Sequence, residues 1–254
     1  MSSCEVYLIN LDRSKDRLAV MDNHLKSFDL QYKRVAAVDA QTFTDEVYRM
    51  VTAPNIEYPH QLKAGEIACF LSHRACWEKL VDSDNDWALI LEDHCDFSPL
   101  ADRYLKSTDW IPLGCHLIQL NYSNKAIYSN RQIKLQDGNV LARLSCSSPV
   151  GTSAYFISRE AAKIALEESQ TINSPVDNFL FGAWSNYSPK MPCWRMLGSV
   201  VKRAENTVTT IAGRGNKNKV RNIERLHPKR LIRKLEMKIH RAFLKKLYQY
   251  WLCD

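Results

Sequence analysis

Short apolar runs separated by polar turns make up most of the chain before about residue 205. Continuous apolar runs predict buried strands, whereas apolar residues at spacings of three and four predict helices. The predicted strands are residues 5–9, 32–38, 88–91, 117–120, 152–157 and 197–201. The predicted helices are residues 18–30, 64–81, 158–166, 178–184 and 229–251, while 42–60 is expected to be irregular and 121–139 a loop or hairpin. The strand–helix–strand opening predicts an α/β protein with a parallel sheet at its start.

The composition is that of a globular protein, with 45% hydrophobic and 25% charged residues. We expect no membrane span, since no apolar run approaches the roughly 18–20 residues that a bilayer requires. The amino-terminal residues lack the pattern of a secretory signal. Eight cysteines occur without C-x-x-C spacing, which predicts reduced thiols in a cytosol rather than a disulfide framework.

Positive charge is concentrated near the carboxyl terminus. Residues 214–251 carry 13 Lys and Arg but two acids, so the rest of the chain is net acidic although the whole has a formal charge of +7. We therefore divide the chain into a main domain, residues 1–213, and a basic helical segment, residues 214–254. That segment could pack on the domain, bind an anionic membrane surface or bind nucleic acid. No nucleic-acid motif accompanies it. Its Leu, Phe, Tyr and Trp residues among Lys and Arg favour interfacial membrane binding over packing alone, and the two can coexist.

The strand at 88–91 ends in a cluster of ionisable groups, Glu92, Asp93, His94 and Asp96. Several acids at the end of a buried strand are costly unless a cation neutralises them. In open α/β sheets that end of the strand is where ligands bind. Oxygen and nitrogen ligands at this spacing suit Mg²⁺ or Mn²⁺, which hold phosphates. The alternative is a solvated turn.

The first strand is followed by Asn10, Asp12, Arg13 and Arg17. A helix amino terminus with arginines suits an anion. There is no glycine-rich fingerprint or P-loop lysine here, which argues against Rossmann and Walker-type binding. The alternative gives these residues a structural role, with Asp12 as an N-cap and Arg17 as a solvated helix residue.

Two further places combine reactive residue types. Ser72 and His73 are neighbours on the helix at 64–81, but adjacent helical residues do not face each other, so a hydrolase pair is not favoured and His73 is expected to be a hydrogen-bonded structural group. Asp177 begins the helix near 178 and is either an N-cap or a carboxylate general base.

Taken in order along the chain, these segments resemble glycosyltransferase family 25, whose members transfer sugars in lipopolysaccharide and lipooligosaccharide biosynthesis. The resemblance covers about residues 5–201 and is specific because the blocks come in the family's order. The similar blocks are 6–13 with Arg17, 65–73 with Trp77, 89–93, 151–158 with Ala161 and Ala162, and 175–177.

The resemblance implies a GT-A-type nucleotide-diphospho-sugar transferase fold, a single mixed sheet flanked by helices, with the basic amphipathic helix added at the carboxyl end. It implies inverting transfer of a sugar, commonly galactose, from a UDP-sugar to a lipooligosaccharide or lipopolysaccharide acceptor, with Mn²⁺ or Mg²⁺ stabilising UDP. The expected location is the cytoplasmic face of a bacterial cytoplasmic membrane. The alternatives are another UDP-sugar, a retaining mechanism, an inactive sugar-nucleotide-binding or scaffold protein, and a nucleic-acid-binding protein with a basic tail.

The same resemblance suggests roles for individual residues. Asp177 is the first candidate for the catalytic base and Glu92 the second. The candidates around the nucleotide-sugar are Asn10, Leu11, Arg13, Arg17, Asp39, Ser72, His73 and Asp93. The metal candidates are Asp93, His94 and Asp96. The family usually has Glu-Asp-Asp where this chain has Glu92-Asp93-His94. This leaves three alternatives: His94 binds the metal, Asp96 binds it in place of the missing carboxylate, or the reaction depends less on a metal.

Overall fold

An eight-stranded mixed sheet forms the centre of the computed structural model, in the order β2-β1-β3-β9-β5-β10-β8-β7. The structure describes residues 3–52, 61–145, 151–182 and 187–204, and near the carboxyl terminus residues 235, 238, 239, 242, 243 and 245–251. Strands β2, β1 and β3 are parallel, while β9 runs antiparallel between β3 and β5. The predicted architecture, a single mixed sheet flanked by helices, is confirmed.

The strands and helices have the following bounds. The strands are β1 Cys4–Asn10, β2 Lys33–Ala36, β3 Trp87–Glu92, β4 Cys95–Phe97, β5 Leu117–Gln119, β6 Ile127–Ser129, β7 Gln132–Lys134, β8 Val140–Arg143, β9 Ala154–Ser158, β10 Cys193–Met196, β11 Val201–Arg203 and β12 Lys245–Leu247. The helices are α1 Lys15–Ser27, α2 Asp45–Val51, α3 Ala64–Val81, α4 Ala101–Tyr104, α5 Arg159–Glu168, α6 Val176–Phe181 and α7 Tyr187–Lys190, with a 3-10 turn at Ala40–Thr42.

The central strands are buried on both faces, as their continuous apolar sequences predict. Tyr7 of β1 and Ile90 of β3 face the core beneath α3, α5 and α6, whereas Leu8 and Leu89 face the core beneath α1 and α4. Helix α5 begins where expected, because the side chain of Ser158 accepts a hydrogen bond from the backbone N–H of Ala161.

The direction of the strands decides where their polar ends meet. Because β1 and β3 are parallel, with Ile9 opposite Glu92, Asn10 and Asp93 leave the sheet at the same edge. Strand β9 runs the other way, so the residues that precede it, Gly151–Ser153, reach that edge too. Three separate parts of the chain therefore converge on one edge.

Two predictions about local structure were wrong. Residues 42–60 were expected to be irregular, but Asp45–Val51 form α2, capped by the hydroxyl of Thr44, which accepts from the Val47 N–H. In place of the strand expected at 197–201, β10 ends at Met196 and β11 begins at Val201. Strand β10 contains Arg195, which is 1% exposed and hydrogen-bonded to Gln119. This charged residue interrupts the apolar run by which a buried strand is predicted from sequence.

The predicted carboxyl-terminal helix is wrong at its end. Residues 235, 238, 239 and 242 are helical, but Lys245–Leu247 form β12, which pairs antiparallel with β6. The side-chain amide of Gln249 then donates to the carbonyls of Asn121 and Met196. Residues 205–234 lie outside the described part of the chain, so the division at 213/214 stays a prediction. Within the described residues, no helix has the length and apolar character needed to cross a bilayer.

Candidate active site

Asn10, at the end of β1, ties the first strand to the acidic end of β3. Its side-chain amide donates to Asp93 Oδ2 at 2.8 Å and to the carbonyl of Ser14 at 3.0 Å. Its carbonyl oxygen accepts from Arg34 Nε at 3.1 Å. All the donors and acceptors of this buried amide are thus engaged, which fixes Asp93 at the sheet edge.

Asp93 also forms an ion pair with Arg17 of α1, at 3.1 Å between Oδ1 and Nη1. Arg17 donates a second bond to the hydroxyl of Ser14 at 2.7 Å. Burial raises the pKa of Asp93, and Asn10 and Arg17 offset this only in part. The expectation that Arg17 is a solvated helix residue is wrong, since its side chain is only 16% exposed.

The alternative for Asp12 is wrong as well. Ser14 occupies the N-cap position of α1, and Asp12 instead pairs with Arg34 at 2.5 Å. Asp39 caps the 3-10 turn by accepting from the Gln41 N–H and forms an ion pair with Arg13. The βα turn is therefore held by side chains of the second strand and the turn that follows it.

Glu92 lies at the centre of a second cluster. Its Oε1 accepts from the hydroxyl of Thr152 at 2.6 Å and lies 3.4 Å from His73 Nε2. Its Oε2 lies 3.6 Å from His94 Nδ1. Burial opposes ionisation of this carboxyl, but the neighbouring His94 and the hydroxyl of Thr152 help to outweigh burial and hold the pKa of Glu92 below its ordinary value. Glu92 is therefore ionised.

His94 follows Asp93 and turns towards Glu92 and the residues before β9. Its Nε2 lies 3.0 Å from the hydroxyl of Ser153. Burial lowers the pKa of His94, and the neighbouring Glu92 carboxylate opposes this shift. The ring adds a hydrogen-bonding group at the edge of the sheet where β3 ends and β9 begins.

The three metal candidates do not form one site. Asp96 belongs to β4, where it accepts from the backbone N–H of Phe97 and pairs with Lys202 at 3.3 Å. Both oxygens of Asp93 are occupied by Asn10 and Arg17. As a set, Asp93, His94 and Asp96 therefore do not fit a divalent ion, which needs several oxygen or nitrogen atoms directed at one point.

Ser72 and His73 face different surroundings, as the argument from helix geometry predicts. The Ser72 hydroxyl donates to the Ala68 carbonyl at 2.7 Å and accepts from the Val38 N–H at 2.9 Å. His73 is fully buried, with Nδ1 2.9 Å from the Tyr155 hydroxyl. His73 is therefore hydrogen-bonded through Nδ1, as expected.

A cavity of about 330 Å³ opens between the ends of β1 and β3 and the start of α3. It is lined by every candidate for nucleotide-sugar binding, together with Glu92 and His94. Those candidates are Asn10, Leu11, Arg13, Arg17, Asp39, Ser72, His73 and Asp93. We call it the first cavity. Two cations that sequence reasoning did not select, Lys63 and Arg203, join Arg13 and Arg17 in its wall.

A second cavity, of about 290 Å³, adjoins the first. Asp177, Asn178, Asn121 and Thr152 line it, and Asp96 lines neither cavity. Asp177 lies in the first turn of α6 behind Pro175, which occupies the N-cap position, so the interpretation of Asp177 as an N-cap is wrong. Its Oδ1 accepts from the backbone N–H of Asn178 at 2.7 Å.

The two cavities share part of their lining. The shared residues are Lys63, Cys69, Glu92, His94 and Arg203. Only Glu92 and His94 of these were candidates from the sequence. Cys69 could have been selected from the sequence, because it shares a helix face with His73. Arg203 could not, because it belongs to β11, a strand that the sequence pattern did not predict. A ligand in each cavity would meet its neighbour at Glu92.

Comparison with known proteins gives one consistent family. The family model described as "Glycosyltransferase family 25 (LPS biosynthesis protein)" matches residues 3–180. A glycosyltransferase 25 family member of Aedes aegypti is 33% identical over 196 residues, which cover 74% of this chain and 32% of that protein. Procollagen galactosyltransferase 2 of Mus musculus is 28% identical over 194 residues, which cover 69% of this chain and 29% of that protein.

The chain thus matches about a third of the length of these curated relatives. Among solved structures, a glycosyltransferase involved in the glycosylation of the major capsid of PBCV-1 aligns with a TM-score of 0.42 and 8% identity, covering 93% of this chain and 99% of that one.

Proposed function

The chain belongs to glycosyltransferase family 25, and from this premise we propose that it transfers galactose from UDP-galactose to a hydroxyl of a saccharide acceptor. The observation that carries the proposal is the pair of adjoining cavities that meet at Glu92. Arg13 and Arg17 line only the first cavity, whereas the polar side chains of Asn121, Thr152, Asp177 and Asn178 line only the second, and Lys63 and Arg203 line both. A transferase needs such a pair, since it holds an anionic donor and a hydroxyl group of the acceptor saccharide side by side.

We assign the donor to the first cavity. Arg13, Arg17, Lys63 and Arg203 line it, and guanidinium groups bind phosphates through charge-assisted, often bidentate hydrogen bonds. When the bond between the anomeric carbon and the diphosphate oxygen breaks, negative charge grows on UDP. Fixed cations around that oxygen stabilise the charge as it develops.

We assign the acceptor to the second cavity, with Asp177 as the first candidate for the base and Glu92 as the second. As the acceptor oxygen forms its bond with the anomeric carbon, its proton passes to the carboxylate. Attack from the face opposite the departing UDP inverts the anomeric centre. No step here is routed through a metal at Asp93, His94 and Asp96, because that set does not fit one.

The acceptor that we propose is an anionic, lipid-anchored saccharide such as lipooligosaccharide, as the family description suggests. The basic segment supports this choice. Its described residues include Leu235, Ile239 and Phe243, which are 58%, 54% and 82% exposed and follow one another at helical spacing. An apolar stripe among lysines and arginines suits the surface of an anionic membrane.

The test of the transferase is acceptor-dependent release of UDP from a panel of UDP-sugars. The acceptors are purified lipooligosaccharide and, because relatives are named for it, procollagen. We expect release from UDP-galactose with lipooligosaccharide, and a product of inverted anomeric configuration by NMR. Binding of UDP without release from any donor would instead indicate an inactive binding protein.

Membrane binding is tested by sedimentation with vesicles that contain anionic lipid. Replacing Leu235, Ile239 and Phe243 with Ser should abolish co-sedimentation. The control is Leu113→Ser, since Leu113 is fully exposed on the main domain, outside the basic segment. Unchanged co-sedimentation of the triple variant would refute the proposed anchor.

A further inference from the structure

A sulfur, a nitrogen and a carboxylate oxygen converge at the wall that the two cavities share. Cys69 and His73 lie one turn apart on α3, and Glu92 ends β3. Their ligand atoms all lie within 4.8 Å of one another. Residues four apart on a helix share a face, and this spacing is used by helices that present two ligands to one metal ion.

His73 supplies an observation that the transfer reaction does not explain. The side chain is 0% exposed, and its Nε2 has no hydrogen-bond partner. Buried polar atoms are nearly always satisfied. Glu92 Oε1 lies 3.4 Å from this nitrogen, close to the edge of about 3.3 Å between two ligands of a tetrahedral ion with bonds of 2.0–2.1 Å.

The other ring nitrogen is placed as in a metal-bound histidine. Nδ1 lies 2.9 Å from the Tyr155 hydroxyl, which also accepts from Trp77 Nε1 at 2.9 Å. A hydroxyl oxygen has two lone pairs and can accept from both N–H groups. A proton on Nδ1 leaves the lone pair of Nε2 directed at the cluster, and a fixed acceptor for the second N–H is the usual support of a histidine ligand.

We propose that Cys69, His73 and Glu92 bind one Zn²⁺ ion. A thiolate with an imidazole selects zinc over Mg²⁺ or Mn²⁺, which prefer oxygen. Three protein ligands leave the fourth tetrahedral position open, the arrangement of catalytic rather than structural zinc sites. That position faces the cavities, because Cys69 and Glu92 line both of them. The site is distinct from Asp93, His94 and Asp96, and its test does not depend on transferase activity.

The experiment is metal binding to the full chain after removal of metals with a chelator. Zn²⁺ is titrated by calorimetry, and Co²⁺ is used as a spectroscopic substitute. We expect one equivalent of either ion, and with Co²⁺ a near-ultraviolet thiolate-to-metal charge-transfer band. Cys69→Ser should remove that band, and His73→Gln should weaken Zn²⁺ binding at least tenfold.

The control is Cys4→Ser, which alters a partly buried cysteine of β1 and should leave the band unchanged. Circular dichroism establishes that each variant is folded, and Cys69→Ser provides the test if His73→Gln does not fold. The proposal is overturned if the wild-type chain binds no Zn²⁺, or if Cys69→Ser retains the charge-transfer band. It is also overturned if Asp93→Asn abolishes binding while Cys69→Ser does not, since the ion would then lie at the acidic block.

Discussion

Arg17 of α1 and Asp93 after β3 form a largely buried ion pair, with 3.1 Å between Nη1 and Oδ1 and side-chain exposures of 16% and 8%. The pair joins the first helix to the acidic end of the central sheet and fixes one wall of the first cavity. Two candidate residues that are far apart in the sequence are therefore in direct contact.

Arg17→Ala should lower the free energy of unfolding by roughly 1.5–3 kcal/mol, because a partly buried carboxylate loses its charged partner. It should also weaken UDP binding. Urea denaturation and calorimetry measure the two effects. The matched control is Lys26→Ala on the same helix, whose exposed pair with Asp22 should contribute less than about 1 kcal/mol. Equal effects of the two substitutions would contradict this account of Asp93.

Tyr155→Phe should destabilise the core by roughly 2 kcal/mol or more, since the N–H of Trp77 and Nδ1 of His73 would both lose a partner in a buried place. Thermal or urea unfolding measures the loss. The control is Tyr48→Phe, which removes one partly buried hydrogen bond to the Leu62 carbonyl and should cost about 1 kcal/mol. A loss no larger than the control's would show that water replaces the Tyr155 hydroxyl.

The sheet and its edge were largely predictable, because β1, α3 and β3 are marked by local apolar patterns. Residues 64–81 form a helix as expected, and the polar residues after β1 and β3, both selected from the sequence, lie at one edge of the sheet. These features depend on spacing within a single segment, which a sequence displays directly.

The parts that were missed depend on contacts between distant segments. Lys246 lies in an apolar–basic pattern typical of a helix, yet it pairs with Tyr128 as a strand. Asp96 pairs with Lys202 of β11 and not with the other acids of its block. The position of Lys202 could not be inferred from the sequence of the acidic block alone. Tertiary pairing decides such cases, and local propensity is only a weak guide to it.

Gln249 anchors the residues after β12, with its amide 2.7 Å from the Ser199 hydroxyl and 2.9 Å from two carbonyls. Gln249→Ala should lower the free energy of unfolding by about 1–3 kcal/mol, because the buried carbonyls lose their donor. Urea denaturation measures the change. Gln132→Ala, an exposed substitution on β7, should have an effect within about 0.5 kcal/mol. If both variants are equally stable, the carboxyl-terminal strand does not contribute to the fold.

The ionised carboxyl of Asp137 should make the free energy of unfolding depend on pH in the acidic range. Burial opposes ionisation of this carboxyl, but the Tyr104 hydroxyl, the Asn139 N–H and Arg103 outweigh burial and lower the pKa of Asp137. A lowered folded-state pKa gives stability that is present above the unfolded value of 3.8 and lost as pH falls through the folded value. Asp137→Asn should therefore be less stable than wild type at pH 6, and the difference should shrink as the pH falls below about 4. Urea denaturation across this pH range checks it, and a constant difference would contradict the assignment.

The most direct test of the two-cavity account is the turnover of Asp177→Asn against wild type, with UDP-galactose and saturating lipooligosaccharide, alongside UDP affinity. Asp177 lines the second cavity and not the first. The account predicts a fall in kcat of roughly 10²–10⁴-fold, the range for loss of a general base, with UDP affinity unchanged. Full turnover in Asp177→Asn and in Cys69→Ser, together with a collapse in Glu92→Gln, would move the base to Glu92, since Cys69→Ser removes a proposed metal ligand without removing the carboxylate. Full turnover in both Asp177→Asn and Glu92→Gln would contradict the account.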